Sequence, residues 1–173
     1  MNDLPGVAEA NDHNFRIEFF FDGVAPGCLS ESERTKLRQA VIATLRHAEV
    51  VAAEVSIAVV CSDRMQQLNN QYLQHDYDTD VLSFCLGTEE ELGFLLGQLI
   101  VSLDYAQRQC EELTRTHEFP VPLLHELALY LVHGSLHLVG YDDHEPAERE
   151  EMRQMEHQVL LPLGMPPVWT SER

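Results

Sequence analysis

The segment His133-Gly134-Ser135-Leu136-His137-Leu138-Val139-Gly140-Tyr141-Asp142-Asp143-His144 places three imidazoles within twelve residues. His133 and His137 stand four positions apart, so on an α-helix they project from one face and both can reach a single ion at about 2.0–2.1 Å. A third ligand has to come from beyond the helix. Gly140 suits the left-handed position just past a helix end, where the chain turns back and lets His144 approach the same ion. Three neutral ligands leave a coordination position open for water or substrate, as in catalytic zinc sites; structural sites are closed by four ligands, mostly cysteine. No cysteine lies near this cluster. The metal's identity stays open, because three imidazoles suit zinc, nickel, copper and iron alike.

The helix that must carry the pair is legible from 120 to 139. Leu124, Leu127, Ala128, Leu131, Ser135 and Leu138 share one face, and Leu129, Val132 and Leu136 widen it, so the helix is expected to be central and buried. The remaining stripe holds Glu126, Tyr130, His133 and His137. Polar groups on so apolar a helix are costly unless paired or coordinating, which makes the stripe a cleft lining. Pro120 or Pro122 fits the first turn. Glu126, about two turns before His133, reads as a supporting or ion-paired residue. Asp142 and Asp143 read either as acceptors for the imidazole N–H groups facing away from the metal or as plain turn aspartates.

The pattern differs from the zinc-protease helix, in which a glutamate directly follows the first histidine and acts as general base. That position is Gly134, and the third histidine of the extended protease motif falls at Asp143, one residue short of His144. A peptidase with this segment keeps its geometry and loses its base.

The surrounding elements read as β-α-β-α-β-β-α-α-α. Residues 15–21 alternate as a strand. Residues 30–48 form a helix opened by the capping box Ser30-x-x-Glu33. Residues 55–60 form a buried strand, and a helix begins near Ser62. Residues 81–86 and 98–103 are short strands, separated by a loop whose Thr88–Glu91 run is solvated. Residues 104–116 are helical, and a last helix runs from Pro146 to about Leu161. The expected fold class is α+β: a mixed four-stranded sheet with helices packed mainly on one side and a central histidine-bearing helix. Residues 1–14 are expected to be a flexible N-terminal segment. At 173 residues the length is that of one domain, which buries about two-thirds of its unfolded surface. No apolar run is long enough to span a membrane, and residues 1–6 lack a signal-peptide pattern, so the expected location is the cytoplasm. Cys28, Cys61, Cys85 and Cys110 are scattered and are expected to be small buried thiols.

The residues His133-Gly134-x-Leu136-His137-Leu138-x-Gly140-Tyr141-Asp142, followed by a histidine, resemble the signature of the YbeY family, bacterial metal-dependent endoribonucleases of ribosomal RNA maturation and ribosome quality control. Leu68-Asn69-Asn70-Gln71-Tyr72, Asp76 and Thr79-Asp80-Val81-Leu82-Ser83-Phe84 are similar to the family's second block, and Gly97–Asp104 is similar to its Gly-Asp-Ile-x-Ile-Ser strand. The resemblance runs from about Val55 to Leu163. It implies that residues 15–173 form one metallohydrolase domain of the family's α+β fold, holding one Zn²⁺ through His133, His137 and His144. It also implies action on single-stranded or ribosomal RNA, in contact with the ribosome or ribosome-associated proteins and away from membranes.

Three positions depart from the family pattern. Leu73 stands where many members carry an arginine linked to cleavage, so that role is not carried over. An extra aspartate in Gly140-Tyr141-Asp142-Asp143-His144 leaves Asp143 as the alternative third ligand. Gln98 stands where an aspartate is common. No general acid or base is identified. Two other readings remain: a ribosome-associated binding protein with a structural metal, and a different zinc-dependent hydrolase.

Charge opposes an RNA substrate. Twenty-nine acidic residues against eleven basic give a formal −18 at pH 7, whereas nucleic-acid binding relies on Lys and Arg displacing counterions. A divalent ion in the cleft offsets part of this. Arg34, Lys36 and Arg38 group within about one helical turn, although a solvated helix face explains them better. RNA affinity is expected to be weak and salt-sensitive, with a protein partner as a source of added affinity.

Overall fold

A computed structural model describes residues 12–169, so the expectation for the first fourteen residues falls largely outside it; Asp12–Asn14 make a short 3-10 turn. The elements are β1 (Phe15–Asp22), α1 (Glu31–His47), β2 (Ala53–Val60), α2 (Ser62–Leu73), β3 (Val81–Gly87), α3 (Glu89–Leu92), β4 (Leu95–Ser102), α4 (Leu103–His117), α5 (Leu123–Leu138) and α6 (Pro146–Leu160). The sheet order is β1-β2-β4-β3. β1 and β4 both run parallel to β2, and β3 pairs antiparallel to β4 at the far edge. The mixed four-stranded α+β architecture is therefore the expected one.

Period-two alternation on the central strands divides the interior. Val55, Ile57 and Val59 of β2 face the main core with α1, α5 and α6, while Val60 faces a smaller cluster with Leu82, Ile100 and the α2 residues Met65 and Leu68. Most helices thus lie on one face and α2 covers the other. α5 runs through the middle: Leu127, Ala128, Leu129, Leu131, Val132 and Leu136 are all buried, and the helix packs on α1, α4, α6, β3 and β4.

Local signals set the boundaries. Ser30 Oγ accepts from the Glu33 N–H at 3.3 Å, and the Glu33 carboxylate accepts from the Ser30 N–H at 2.8 Å, closing the capping box that opens α1. Glu145 and Glu148 do the same for α6, with Pro146 in the first turn. Three boundaries differ from expectation. The Thr88–Glu91 run is no loop but carries a single helical turn, α3, because Thr88 and Glu91 cap it reciprocally. β2 and β4 begin earlier than their apolar runs, at Ala53 and Leu95, because these residues already pair across the parallel ladder. Pro122 is the residue capping α5 rather than a member of its first turn.

The basic cluster of α1 serves the fold. Arg34 and Arg38 both pair with Glu31, at 2.6 and 2.8 Å, and their guanidinium groups lie over Phe21 and Phe19 of β1 at 6.0 and 5.5 Å. Arg38 Nε also donates to the Ile17 carbonyl at 3.2 Å. These cations lash α1 to the edge strand. The cysteines are free; Cys110 is buried, Cys28 and Cys61 are half-buried, and Cys85 is exposed at the edge strand β3, where alternation turns it outward.

α5 packs tightly on the sheet at Gly134. A Cβ there meets Ser83 Oγ at 2.8 Å, Val81 Cγ2 at 2.9 Å and Leu99 Cδ2 at 3.0 Å. Alanine gains about 1 kcal/mol in helix propensity, but overpacking a tight contact costs about 1–3 kcal/mol. Gly134→Ala is expected to lower the melting temperature by a few degrees, about 2–4 °C for each kcal/mol lost at this chain length. Calorimetry showing an unchanged or raised melting temperature would mean that the sheet yields freely at this point.

Candidate metal centre

The last two turns of α5 present the histidine pair at the surface of an otherwise buried helix. His133 and His137 retain 23% and 29% side-chain exposure, and their rings meet edge to face with centroids 4.7 Å apart. The two Nε2 atoms are 3.1 Å apart. Each remaining ring nitrogen is engaged. His133 Nδ1 donates to Glu156 Oε1 of α6 at 2.8 Å, and His137 Nδ1 donates to the Tyr141 carbonyl at 3.0 Å. A carboxylate and a carbonyl accept only, so both protons sit on Nδ1 and both Nε2 lone pairs face the common point.

The acceptors differ from the expected ones. Asp142 and Asp143 hold neither outward N–H; a carboxylate on α6, far away in the chain, and a backbone carbonyl of the turn hold them instead. Glu156 is 3% exposed and uses both oxygens, since Oε2 accepts from Trp169 Nε1 at 2.8 Å. No spacing rule on the histidine segment pointed to Glu156, although a glutamate on the buried side of an amphipathic helix is itself a signal that a partner waits inside. Burial opposes a charge on His133, but the hydrogen bond to Glu156 and the charges of Glu156, Asp80 and Asp143 outweigh it and raise the imidazole above its ordinary value.

The turn sets which side chains lie near the pair. Gly140 takes φ +94°, as its place past the helix end requires, and the Tyr141 N–H closes back on the Leu136 carbonyl at 3.1 Å. The chain then carries Asp143 over the histidines. Asp143 Oδ2 lies 3.7 Å from His133 Nε2, and Oδ1 lies 4.0 Å from His137 Nε2. His144, the expected third ligand, is not brought to the pair. Its side chain is 81% exposed, with Nδ1 3.0 Å from Asp142 Oδ1 and 3.6 Å from Asp143 Oδ1, on the outer side of the turn. Among the described residues, the groups of donors that could hold an ion are His133–His137–Asp143 and the neighbouring Asp142–Asp143–His144.

The first group fits a metal chemically. Four tetrahedral ligands at about 2.0–2.1 Å place their donor atoms about 3.3 Å apart, close to the 3.1 Å between the two Nε2 atoms. The carboxylate needs only a small side-chain shift to close on the same point.

A cavity of about 340 Å³ opens beside the cluster, lined by His133, Asp143, Asp80, Tyr130, Arg149 and Arg153 among others. The stripe expected to line a cleft does so at Tyr130 and His133. Glu126 departs from it: the residue is buried and acts on Cys110 of α4, whose thiol is pushed up to about 11 by burial and then by the Glu126 charge. Gly134 faces the sheet rather than the cavity, so a glutamate base of the protease kind has no room at this position.

The chain matches known proteins over most of its length. The profile of the family described as Endoribonuclease YbeY matches residues 28–164. An Endoribonuclease YbeY of Rhodopirellula baltica is 36% identical over 139 residues, 80% of this chain and 68% of that protein. One of Carboxydothermus hydrogenoformans is 40% identical over 129 residues, 75% of this chain and 85% of that protein. The solution structure of a protein from Thermotoga maritima superposes with a TM-score of 0.51 at 25% identity, covering 86% of this chain and 90% of the other. With the histidine pair, the glycine turn and the mixed sheet all in place, the chain belongs to the YbeY endoribonuclease family.

Proposed function

We propose that this protein is a single-strand-specific metallo-endoribonuclease that acts in ribosomal RNA 3′-end maturation and ribosome quality control. The observation that carries the reading is the pair of Nε2 atoms, freed toward one point by Glu156 and the Tyr141 carbonyl, in a chain whose relatives are named endoribonucleases. The ion we assign is zinc, held by His133, His137 and Asp143. His144 is placed to support the Asp143 carboxylate from outside, 3.6 Å away.

A divalent ion at this point supplies Lewis-acid activation of water and neutralises charge on the scissile phosphodiester. The chain's own residues set the conditions. Glu156 and the Tyr141 carbonyl fix both imidazole tautomers and orientations, which keeps the two Nε2 atoms aimed without reorganisation. Asp143 adds one negative charge where the family pattern described above carries a neutral ring. Among the described residues no helix is long and apolar enough to cross a membrane, and we assign the protein to the cytoplasm, working on the ribosome.

Metal-replete protein, chelated protein and the His137→Ala variant are to be compared on defined single- and double-stranded RNA, with cleavage ends mapped. The replete protein is expected to cut only single strands, and chelation and His137→Ala are each expected to abolish cutting and metal content together. Equal cleavage by the variant would expose a contaminating nuclease and sink the reading. Loss of thermal stability on chelation without any cleavage by the replete protein would favour a binding protein with a structural metal.

A further inference from the structure

We propose that Arg149 and Arg153 of α6 form a phosphate clamp that binds a phosphodiester of single-stranded RNA in the cavity beside His133, His137 and Asp143. The clamp rests on the endoribonuclease reading and says how so acidic a protein holds its substrate. Four positions apart on a helix, the two side chains project from one face, and both line the cavity whose other wall carries His133 and Asp143.

Six of the other arginines are tied up in ion pairs. Arg16, Arg34, Arg38, Arg64, Arg108 and Arg115 are each paired with a carboxylate. Among the described residues, Arg149 and Arg153 form no ion pair. Glu156, one turn from Arg153, is occupied by His133 and Trp169. Arg149 makes one side-chain hydrogen bond, from Nη2 to the Asp143 carbonyl at 3.1 Å, which leaves most of its donors available. Arg153 Nε is buried with no hydrogen-bond partner among the described residues.

A buried donor on a charged group is costly when unpaired, so a site that retains one is suited to an incoming acceptor. The planar guanidinium fork matches phosphate oxygens two at a time, and two forks one turn apart match adjacent faces of one phosphodiester. The cavity lies at the small end of the range for ligand pockets, about 300–1,000 Å³.

The test uses full-length metal-replete protein and a short single-stranded oligonucleotide with 2′-O-methyl sugars, which keeps every phosphate and resists cleavage. Binding is read by fluorescence anisotropy across a salt series, with cleavage of unmodified RNA and metal content measured in parallel. Arg153→Gln is expected to weaken binding about tenfold and to make the log–log salt slope shallower by roughly 0.7, the value for one phosphate contact on a single strand. Arg149→Gln/Arg153→Gln is expected to lose about twice as much in both measures. Arg153→Lys should restore the slope but only part of the affinity, since a point charge lacks the fork. Arg115→Gln, the same charge change at an exposed site away from the cavity, should match wild type. Wild-type affinity and slope in Arg153→Gln and in the double variant, at unchanged metal content and melting temperature, would overturn the clamp. Wild-type protein that holds metal and binds the oligonucleotide but cuts no RNA would overturn the endoribonuclease reading and leave the clamp standing.

Discussion

Asp143→Ala is expected to abolish both metal retention and RNA cleavage, whereas His144→Ala is expected to leave metal stoichiometry unchanged and to lower activity only modestly. The contrast follows from direction. Asp143 turns its carboxylate toward the two Nε2 atoms, at 3.7 and 4.0 Å, while the His144 ring is 81% exposed beside Asp142. Losing an outer partner of a metal ligand typically costs 10–100-fold in metal affinity, and losing the ligand itself removes a bond to the ion and exceeds that. The check is elemental analysis after gel filtration, paired with cleavage of single-stranded RNA. Asp143→His is the informative companion: it substitutes an imidazole for the carboxylate and should retain metal with less negative charge at the site. If His144→Ala lost the metal and Asp143→Ala kept it, the third ligand would be His144 and the turn would have to rearrange around the ion.

Glu156→Ala is expected to lower metal affinity about 10–100-fold and to destabilise the protein even without metal. The carboxylate is 3% exposed and satisfies two N–H groups, His133 Nδ1 and Trp169 Nε1, both at 2.8 Å. A buried donor left unsatisfied costs about 1–3 kcal/mol, and at this length each kcal/mol lowers the melting temperature by about 2–4 °C. The double loss should therefore shift the transition of the chelated protein by several degrees. Glu156→Gln tests the same idea more gently, since its single carbonyl oxygen can still accept from one of the two donors. Melting in chelator separates the packing contribution from the metal contribution. A chelated Glu156→Ala protein that melts with wild type would mean that water replaces the carboxylate at both donors.

These effects are local to the site, yet their origins were unequally visible in the residues. The helical spacing of His133 and His137, the glycine that ends α5 and the capping box of α1 depend on neighbours within a few positions, and each stands in the structure as read. Strand limits were less legible. Ala53 and Leu95 join the sheet because each lies opposite the other across a parallel ladder, which no window around either residue contains. The single turn α3 was hidden for a related reason: a run of glutamates reads as solvated, and only the Thr88–Glu91 reciprocal cap makes it helical.

The amino-acid sequence by itself determined the α+β class, the central apolar helix and the placing of the two imidazoles on one helix face, because periodicity and short-range spacing encode them, and its motifs carried the resemblance to the family. Only the tertiary structure decided which side chains surround that pair. The turn after Gly140 carries the Asp143 carboxylate to 3.7 and 4.0 Å from the two Nε2 atoms and leaves the His144 ring exposed beside Asp142. Glu156 reaches His133 through the packing of α6 on α5, with Trp169 bonded to its other oxygen, and Arg149 and Arg153 arrive in the same cavity by the same packing. Contacts between residues distant in the chain depend on how helices dock, and that is set by the shape of the whole core rather than by any one segment.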